Sequence, residues 1–536
     1  VVSKGRFDAV VVGSGAAGGW AAKELTEQGL DVLLLEAGPA VTPEDFPLPA
    51  PDESRLATSI RRGLGGQMVQ MRCHAFNART ARFFVNDREN PYTTPRGRPF
   101  SWFRGRQVGG RLHVWARVAL RMSDLELKSA SRDGYGVDWP ISYADLAPYY
   151  DKVESFLGVH GTREGIAVLP DGIYLPPIEL TPAEAEFRTA VETAFPGRRV
   201  IPARVVEHDP HRVPATIRAA RTTGRLTLRT DAVVHRITVD PASTRATGVA
   251  FVDRAERRET EVRAGAVVLC AGTIDTLRIL LNSASGRHPG GLGNSSGHLG
   301  RYLMDHVMVR LAGPVPAYEP ALEEESGDPY DFGRATGFHV PRFRNTDGAD
   351  SRFLRGYGLQ GSIGRGAPHW FLFAHGEMLP RFENHVALDP RKKDAWGIPA
   401  ARIDCSYSEN ELAMTADALE TMGEMASAAG LRVRMPPSGR FTEWLALELW
   451  KRRVLSRSGA FLPGSAVHEC GGARMGEDPG TSVLTPFGQC WDAPNVFVTD
   501  GACFPSGCTQ NITLSIMALT VRACDHLAAE YRAGRL

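Results

Sequence analysis

The chain has 536 residues, 43% of them hydrophobic and 23% charged, with a formal charge of +1. That is room for two or three domains with large cores, and so balanced a charge implies neither nucleic acid nor an anionic membrane as a partner. No apolar run approaches a membrane span, and the eight cysteines are scattered without a C-x-x-C pair; neither a zinc site nor a disulfide framework is indicated, and reducing, cytoplasmic surroundings are expected.

The opening residues, VVSKGRFD, hold no signal-peptide core, although the missing Met leaves processing or trimming open. Asp8 to Gly38 carries the most informative pattern. Ala9 to Val12 is a short apolar run read as a buried strand. Gly13, Gly15 and Gly18 follow with the spacing G-x-G-x-x-G. Trp20 to Leu30 reads as a helix, and Val32 to Leu35 as a second buried strand closed by Glu36. Gly13 allows the tight strand-to-helix turn, Gly15 lets a pyrophosphate reach the backbone, and Gly18 lets the helix pack close to the strand. Glu36 stands about twenty residues on, where an acid accepts hydrogen bonds from a ribose. The pattern predicts a dinucleotide-binding unit; the alternative is a glycine-rich turn in an ordinary α/β domain.

Glu44 to Asn90 is mixed and Arg-rich, and reads as loops and short helices. Pro95 to Ser123 is dense in Gly, Arg and aromatics around the Gly109-Gly110 turn. It fits a loop pressed on a large planar ligand, with Trp115 and His113 for stacking or hydrogen bonding, or else an Arg-rich surface loop. Helices are predicted after Ser142 up to Leu157 and over Thr181 to Thr193, the latter from a Thr-Pro pair. Arg225 to Val239 and Ala246 to Val252 read as a hairpin turning at Pro241-Ala242-Ser243. Val262 to Leu269 is a strand that runs through Cys270-Ala271-Gly272-Thr273 into a helix from Ile274 to Asn282. Pro314 to Ser351, acidic and poor in large apolar residues, reads as a surface loop or as a lid over the substrate cavity. Tyr357 to Leu388 reads as strands, Glu409 to Ala429 as an amphipathic helix explained by packing, and Leu445 to Leu462 is indistinct. Asn495 to Thr499 is a short buried strand ending at Asp500-Gly501, and Asn511 to Arg532 is a long C-terminal helix.

Taken together, VGSGAAGG…LLLEAG, VGGRLHVW, AGTIDTLRILLNS, LGRYLMDH, HECGGARMG and TDGACFPSGCTQNITLSIMAL resemble the glucose-methanol-choline (GMC) flavoprotein oxidoreductases, discontinuously but over nearly the whole chain. The last two segments look most like the pyranose oxidase and sugar (C-glycoside) oxidase side of that family. The resemblance implies an α/β fold: an FAD-binding Rossmann-like domain interleaved with an α+β substrate domain built on an antiparallel sheet. The FAD part would comprise residues 1–134, 196–311 and 464–536, and the substrate part 135–195 and 312–463. FAD would lie along Gly13, Gly15, Ala17 and Gly18, with Glu36 on the adenosine ribose and the backbone of Val233-Val234 on adenine. Arg106, Gly109, Gly110, His113, Val114, Trp115 and Ala271 would line it. Asp500, Gly501, Asn511, Ile512 and Thr513 would hold its pyrophosphate side and the flavin C2 carbonyl. Two departures stand out. Where many members have Ser-Pro, this chain has Asp275-Thr276, which weakens substrate inferences. Where some sugar oxidases carry a flavin-linked His, it has Val114, with His113 one residue earlier; Val cannot form that bond, so dissociable FAD is expected.

The resemblance also pairs His468 with Asn511. Oxidising an alcohol requires its hydroxyl proton to leave with or before the hydride, and a neutral imidazole is the natural base near neutral pH. An amide beside it can hold the alcohol oxygen over flavin N5, and Asn511 can also serve as a helix N-cap. Arg474, Cys470 and Cys503 are read as structural, and His235, His306 and His385 as core or surface. The expected activity is FAD-dependent oxidation of a secondary hydroxyl of a pyranose or glycoside to the ketone. The alternatives are a GMC dehydrogenase of an aliphatic, aromatic or amino alcohol, and a flavoprotein that serves mainly as a partner-binding subunit. A nicotinamide-linked enzyme is not the expected reading. Oxygen or a quinone as acceptor, and a monomer or a homo-oligomer, are left open.

Overall fold

The computed structural model describes residues 6–45, 60–209, 211–315, 336–347, 352–365, 368–433 and 460–536. The expected lid therefore falls largely outside the described residues, as does nearly all of 445–462. In chain order the elements that build the site begin with β1 (Phe7–Val12), α1 (Ala16–Glu27) and β2 (Val32–Leu35). Helices α2 (Tyr143–Leu157) and α3 (Pro182–Ala194) follow, then strands β3 (Ile201–Pro202), β4 (Leu226–Arg229), β5 (Ala232–Val239), β6 (Ala246–Asp253) and β7 (Glu259–Leu269). After α4 (Thr273–Asn282) come β8 (His306–Pro314), β9 (Phe338–Val340), β10 (Tyr357–Ile363), β11 (His369–Glu377), β12 (His385–Lys393) and β13 (Pro399–Asp404). Helix α5 (Glu409–Ala428), β14 (Val496–Val498) and α6 (Thr513–Arg532) complete the set.

Two sheets dominate. The first has the order β4-β2-β1-β7-β6-β5, with β14 also pairing to β7. β4, β2, β1, β7 and β14 run parallel, whereas β5, β6 and the first half of β7 form an antiparallel meander. β7 serves both. Its sequence ETEVR alternates between exposed and half-buried where it faces β6, then AGAVVL is continuously buried where it joins β1. This is the expected difference between a sheet solvated on one face and one covered on both. The second sheet is antiparallel, in the order β8-β11-β10-β9-β3, with α5 and α3 packed on it. Its edge strands come from residues 201–202 and 306–314, so the chain passes between the sheets several residues away from the boundaries expected at 196 and 311.

Several expected elements sit differently. α1 begins at Ala16, not Trp20, and absorbs Gly18 and Gly19. These helical positions hold glycine because nothing larger fits: a Cβ on Gly18 would stand 1.7 Å from the Gly13 carbonyl oxygen, and one on Gly19 2.4 Å from Thr216 Oγ1. The segment expected as one long hairpin arm is split at Asp231, whose φ of 56° turns the chain; β4 before it joins β2, and only β5 pairs with β6. α2 and α3 start where expected, each with a capping box: Ser142 with Asp145, and Thr181 with Glu184. α6 starts at Thr513, two residues later than expected.

Candidate active site

A cavity of about 350 Å³ runs from the C-terminal ends of β1 and β2 to the inner face of the antiparallel sheet. Ligands of open parallel sheets bind at these strand ends. Of the residues expected at the cofactor, Gly13, Gly15, Ala17, Glu36, Arg106, Gly110, Val114, Trp115, Val234, Ala271, Asp500, Gly501, Asn511, Ile512 and Thr513 line it. Three do not. Gly18 supports the turn from behind, and Gly109 donates its N–H to Ser14 Oγ at 3.1 Å. His113 is turned away: its Nε2 meets the Val108 carbonyl at 2.7 Å and its ring stacks on Phe83 at 5.0 Å, so it is not the stacking group the sequence suggests.

The residues fit a dinucleotide on grounds of their own. A Cβ on Gly15 would meet nothing within 4 Å and would project into open space, the place a phosphate needs. Neither α1 nor α6 has a side-chain N-cap, which leaves first-turn N–H groups and the positive end of each helix dipole for an anion or a carbonyl. Glu36 is buried and accepts from Ser14 N–H at 3.1 Å, Ser14 Oγ and Gly38 N–H at 2.9 Å. Burial pushes its carboxyl up, and these hydrogen bonds oppose the push. Asp500 accepts from Gly272 N–H at 3.0 Å, Thr276 Oγ1 at 2.5 Å and Ala502 N–H at 3.0 Å; burial raises its pKa to about 6. Thr276, one of the two departing residues, thus ties α4 to the Asp500 turn. The other, Asp275, faces Arg106 at 3.4 Å.

At the opposite end His468 and Asn511, 43 residues apart in sequence, meet with Nε2 and Nδ2 at 3.5 Å. His468 is aimed by its backbone. Its N–H and that of Ala466 donate to the two oxygens of Asp305 at 3.0 and 3.1 Å, and Val467 between them takes a φ of 64°, a costly left-handed conformation for a β-branched residue. Burial, with His306, His375 and Arg111 nearby, holds the His468 ring well below the usual histidine pKa, so it is neutral. Asn511 is not a helix N-cap as expected; Ile512 occupies that position, and the Asn511 amide is engaged by Gln360, whose Nε2 donates to its Oδ1, and by His468.

Sequence reasoning passes over Ser14, Gln360, His375, Asp305 and His306. His306, read as core or surface, is buried as that reading has it, yet its Nδ1 lies 3.0 Å from His468 Nδ1. A signal existed for two of the others: Phe371, Phe373 and His375 alternate along β11, and Gln360 lies opposite Phe373, which puts all four on one sheet face, lining the cavity. Among the described residues no group of three or more His, Cys, Asp or Glu side chains could hold a metal ion, and no helix is long and apolar enough to cross a membrane.

A two-lobed fold with a dinucleotide cradle and a histidine–amide pair defines a flavin-dependent oxidoreductase. Two family models described as GMC oxidoreductase match residues 212–308 and 380–520, and one described as FAD binding domain matches residues 8–44. A 2-methyl-1,2-propanediol dehydrogenase of Mycolicibacterium austroafricanum is 28% identical, the match covering 99% of this chain and 96% of that one. A C-glycoside 3-oxidase of Arthrobacter globiformis is 25% identical over 99% of this chain and 96% of its own. The solved pyridoxine 4-oxidase from Mesorbium loti has the same fold, with a TM-score of 0.63 at 20% identity, covering 98% of this chain and 99% of that one. The chain belongs to the GMC oxidoreductase family: it is an FAD-dependent enzyme acting on CH–OH groups.

Proposed function

We propose that the enzyme oxidises a secondary hydroxyl of a pyranose sugar or glycoside to the ketone, with His468 as general base and Asn511 as the hydrogen-bond partner of the alcohol oxygen. The observation that carries the reading is the meeting of these two side chains in the cavity that holds the cofactor cradle. FAD, when bound, supplies the acceptor for the hydride. The chain supplies the rest. His468 takes the hydroxyl proton on Nε2, and Asn511 Nδ2 holds the oxygen in place. Phe371 and Phe373 offer flat apolar surface, and Gln360 and His375 on the same sheet face offer polar atoms, a combination suited to the mixed faces of a sugar ring. Similarity to a C-glycoside oxidase supports this substrate class.

A second reading, a dehydrogenase of a small aliphatic alcohol using an acceptor other than oxygen, is favoured by the similarity to a propanediol dehydrogenase. Anaerobic flavin bleaching against a panel of pyranoses, glycosides and small diols separates them. Bleaching by pyranoses or glycosides is the expected result, and bleaching by small diols alone overturns the sugar reading. Reoxidation of the bleached enzyme by oxygen or by a quinone then identifies the acceptor class.

A further inference from the structure

The contact between His306 and His468 remains without a function. Their Nδ1 atoms lie 3.0 Å apart, with ring centroids at 4.8 Å. At that distance two ring nitrogens must share one proton: two bare nitrogens would repel, and two N–H groups would clash. A neutral imidazole carries one hydrogen, so the direction of this bond decides which nitrogen of His468 is bare.

The other end of the chain of contacts sets the direction. Gln360 Nε2 donates to Asn511 Oδ1, which turns Asn511 Nδ2 towards His468 Nε2. An amide N–H facing Nε2 requires Nε2 to be an acceptor. The His468 proton then sits on Nδ1, and His306 Nδ1 must accept it.

We propose that His306 is a positioning residue for the reaction: it accepts the Nδ1 proton of His468 and so keeps Nε2, the nitrogen facing Asn511, free for the hydroxyl proton of the substrate. The inference rests on the reading of His468 as base. In the step itself the substrate O–H bond breaks and its proton passes to His468 Nε2. The Nδ1–H of the resulting imidazolium strengthens its bond to His306, and no proton leaves the pair. If the bond ran the other way, Nε2 would already carry a proton and could take none.

The surroundings suit an acceptor. His306 is 3% exposed, at the start of β8, and burial lowers its pKa to about 4, so it stays neutral and keeps a bare nitrogen. The carbonyls of Cys508 and Gln510 lie close enough to favour its own proton, although neither forms a well-aligned hydrogen bond with Nε2. The ionisable groups acting on His468 besides His306 are His375 from β11 and Arg111 and His74 from the cofactor loops, while Asp305 meets the pair through the backbone, accepting the N–H of His468. His375 stands 5.7 Å from His468, ring to ring, and is wall rather than partner.

Two variants of the holoenzyme test the proposal. In His306→Asn the amide oxygen can accept near the place of Nδ1, and in His306→Leu nothing can. Both are compared with wild type and His468→Ala for bound FAD and for anaerobic flavin reduction across substrate concentration. His306→Leu should keep its FAD and lose about 10-fold or more in the limiting rate of reduction, with little change in the substrate concentration at half-saturation. His306→Asn should recover most of that rate. A wild-type rate in His306→Leu, or a His306→Asn variant as slow as the Leu variant with FAD fully bound, overturns the proposal. Should His306→Leu not hold FAD, the Asn variant decides alone: near-normal reduction supports the relay, and a loss of 10-fold or more overturns it. A normal rate in His468→Ala would remove the base itself, whereas a slow His468→Ala beside normal His306 variants removes only the positioning role.

Discussion

His468, the proposed base, has its basicity set low. Burial is the largest cause, followed by His306, His375 and Arg111, and the sign matters. A lowered pKa keeps the ring neutral, and so able to accept a proton, to more acid pH. The rate of substrate-driven flavin reduction should therefore stay flat through neutrality and fall only well below pH 6.5. Stopped-flow reduction across pH measures this, and a half-maximal point at or above 6.5 would contradict it. His468→Ala should keep its FAD, since the cradle glycines and Glu36 stand at the far end of the cavity, and should reduce roughly 10²-fold or more slowly. Asn511→Ala should lose about 1–3 kcal/mol of transition-state binding, the usual cost of an unmet polar partner. A normal reduction rate in His468→Ala with bound FAD would take the histidine out of the mechanism. At this scale the sequence reveals residues that sit in recognisable motifs and misses those defined only by what they touch. His468 and Asn511 are legible from HECGGARMG and TQNIT. His306 stands inside LGRYLMDH, yet a histidine's neighbours are not written in its own segment. His113 misleads for the opposite reason: its place beside Trp115 suggests the cavity, but the Val108 carbonyl holds its ring outside.

Among the elements, the β1–α1 turn separates two uses of glycine. A methyl group on Gly15 meets no protein atom, whereas one on Gly18 overlaps a backbone oxygen. Gly15→Ala should therefore leave the melting temperature of the apoprotein unchanged and weaken FAD binding. Gly18→Ala should cost stability even without FAD, by about 1–3 kcal/mol, the range for forcing an extra methyl into a packed contact. Thermal unfolding of each apoprotein and titration with FAD distinguish them, and equal apoprotein stability would contradict the assignment. The sequence marks this turn well because steric demands there are local. It marks the start of α1 poorly because Gly18 and Gly19 look like helix breakers until Gly13 and Thr216 are seen against them. The split at Asp231 is equally hidden: the polar alternation of Arg225 to Val239 continues through the turn, and only pairing of β4 with β2 reveals it.

For the whole molecule, the cofactor site draws on early, middle and late parts of the chain: β1 and α1, the Gly109-Gly110 loop, the turn after β7 with α4, and the Asp500 turn with α6. Bound FAD should accordingly stabilise the protein as a unit. At a thousand-fold excess over its Kd the gain is about 4 kcal/mol, seen as a rise in Tm on adding FAD to apoprotein. Because Val114, at the position where the family resemblance would put a linking histidine, lines the cavity and can form no bond to flavin, acid precipitation should release the yellow flavin into the supernatant; flavin retained by the pellet would show a covalent bond. The two-lobed plan is legible from motifs strung along the chain, but the points where it changes sheet are not, because short strands such as β3 and β9 acquire their identity from partners far away.

β1 lies between β2 and β7, and β7 in turn pairs with β14; α6, the last helix, packs against α1, the first. A ribosome makes these partners far apart in time. The glycine turn emerges early, β1 gains its second neighbour only when β7 is made, and the Asp500 turn and α6 that complete the pocket come later still. The flavin should therefore seal a completed site and not guide the growing chain, and β1 should be a target for chaperones until β7 is made. Stalled nascent chains that have released Gly272 but not Asn511 should bind no FAD, and chains released past Arg532 should. Flavin capture by the shorter chains would show that the early half forms the pocket without the late one.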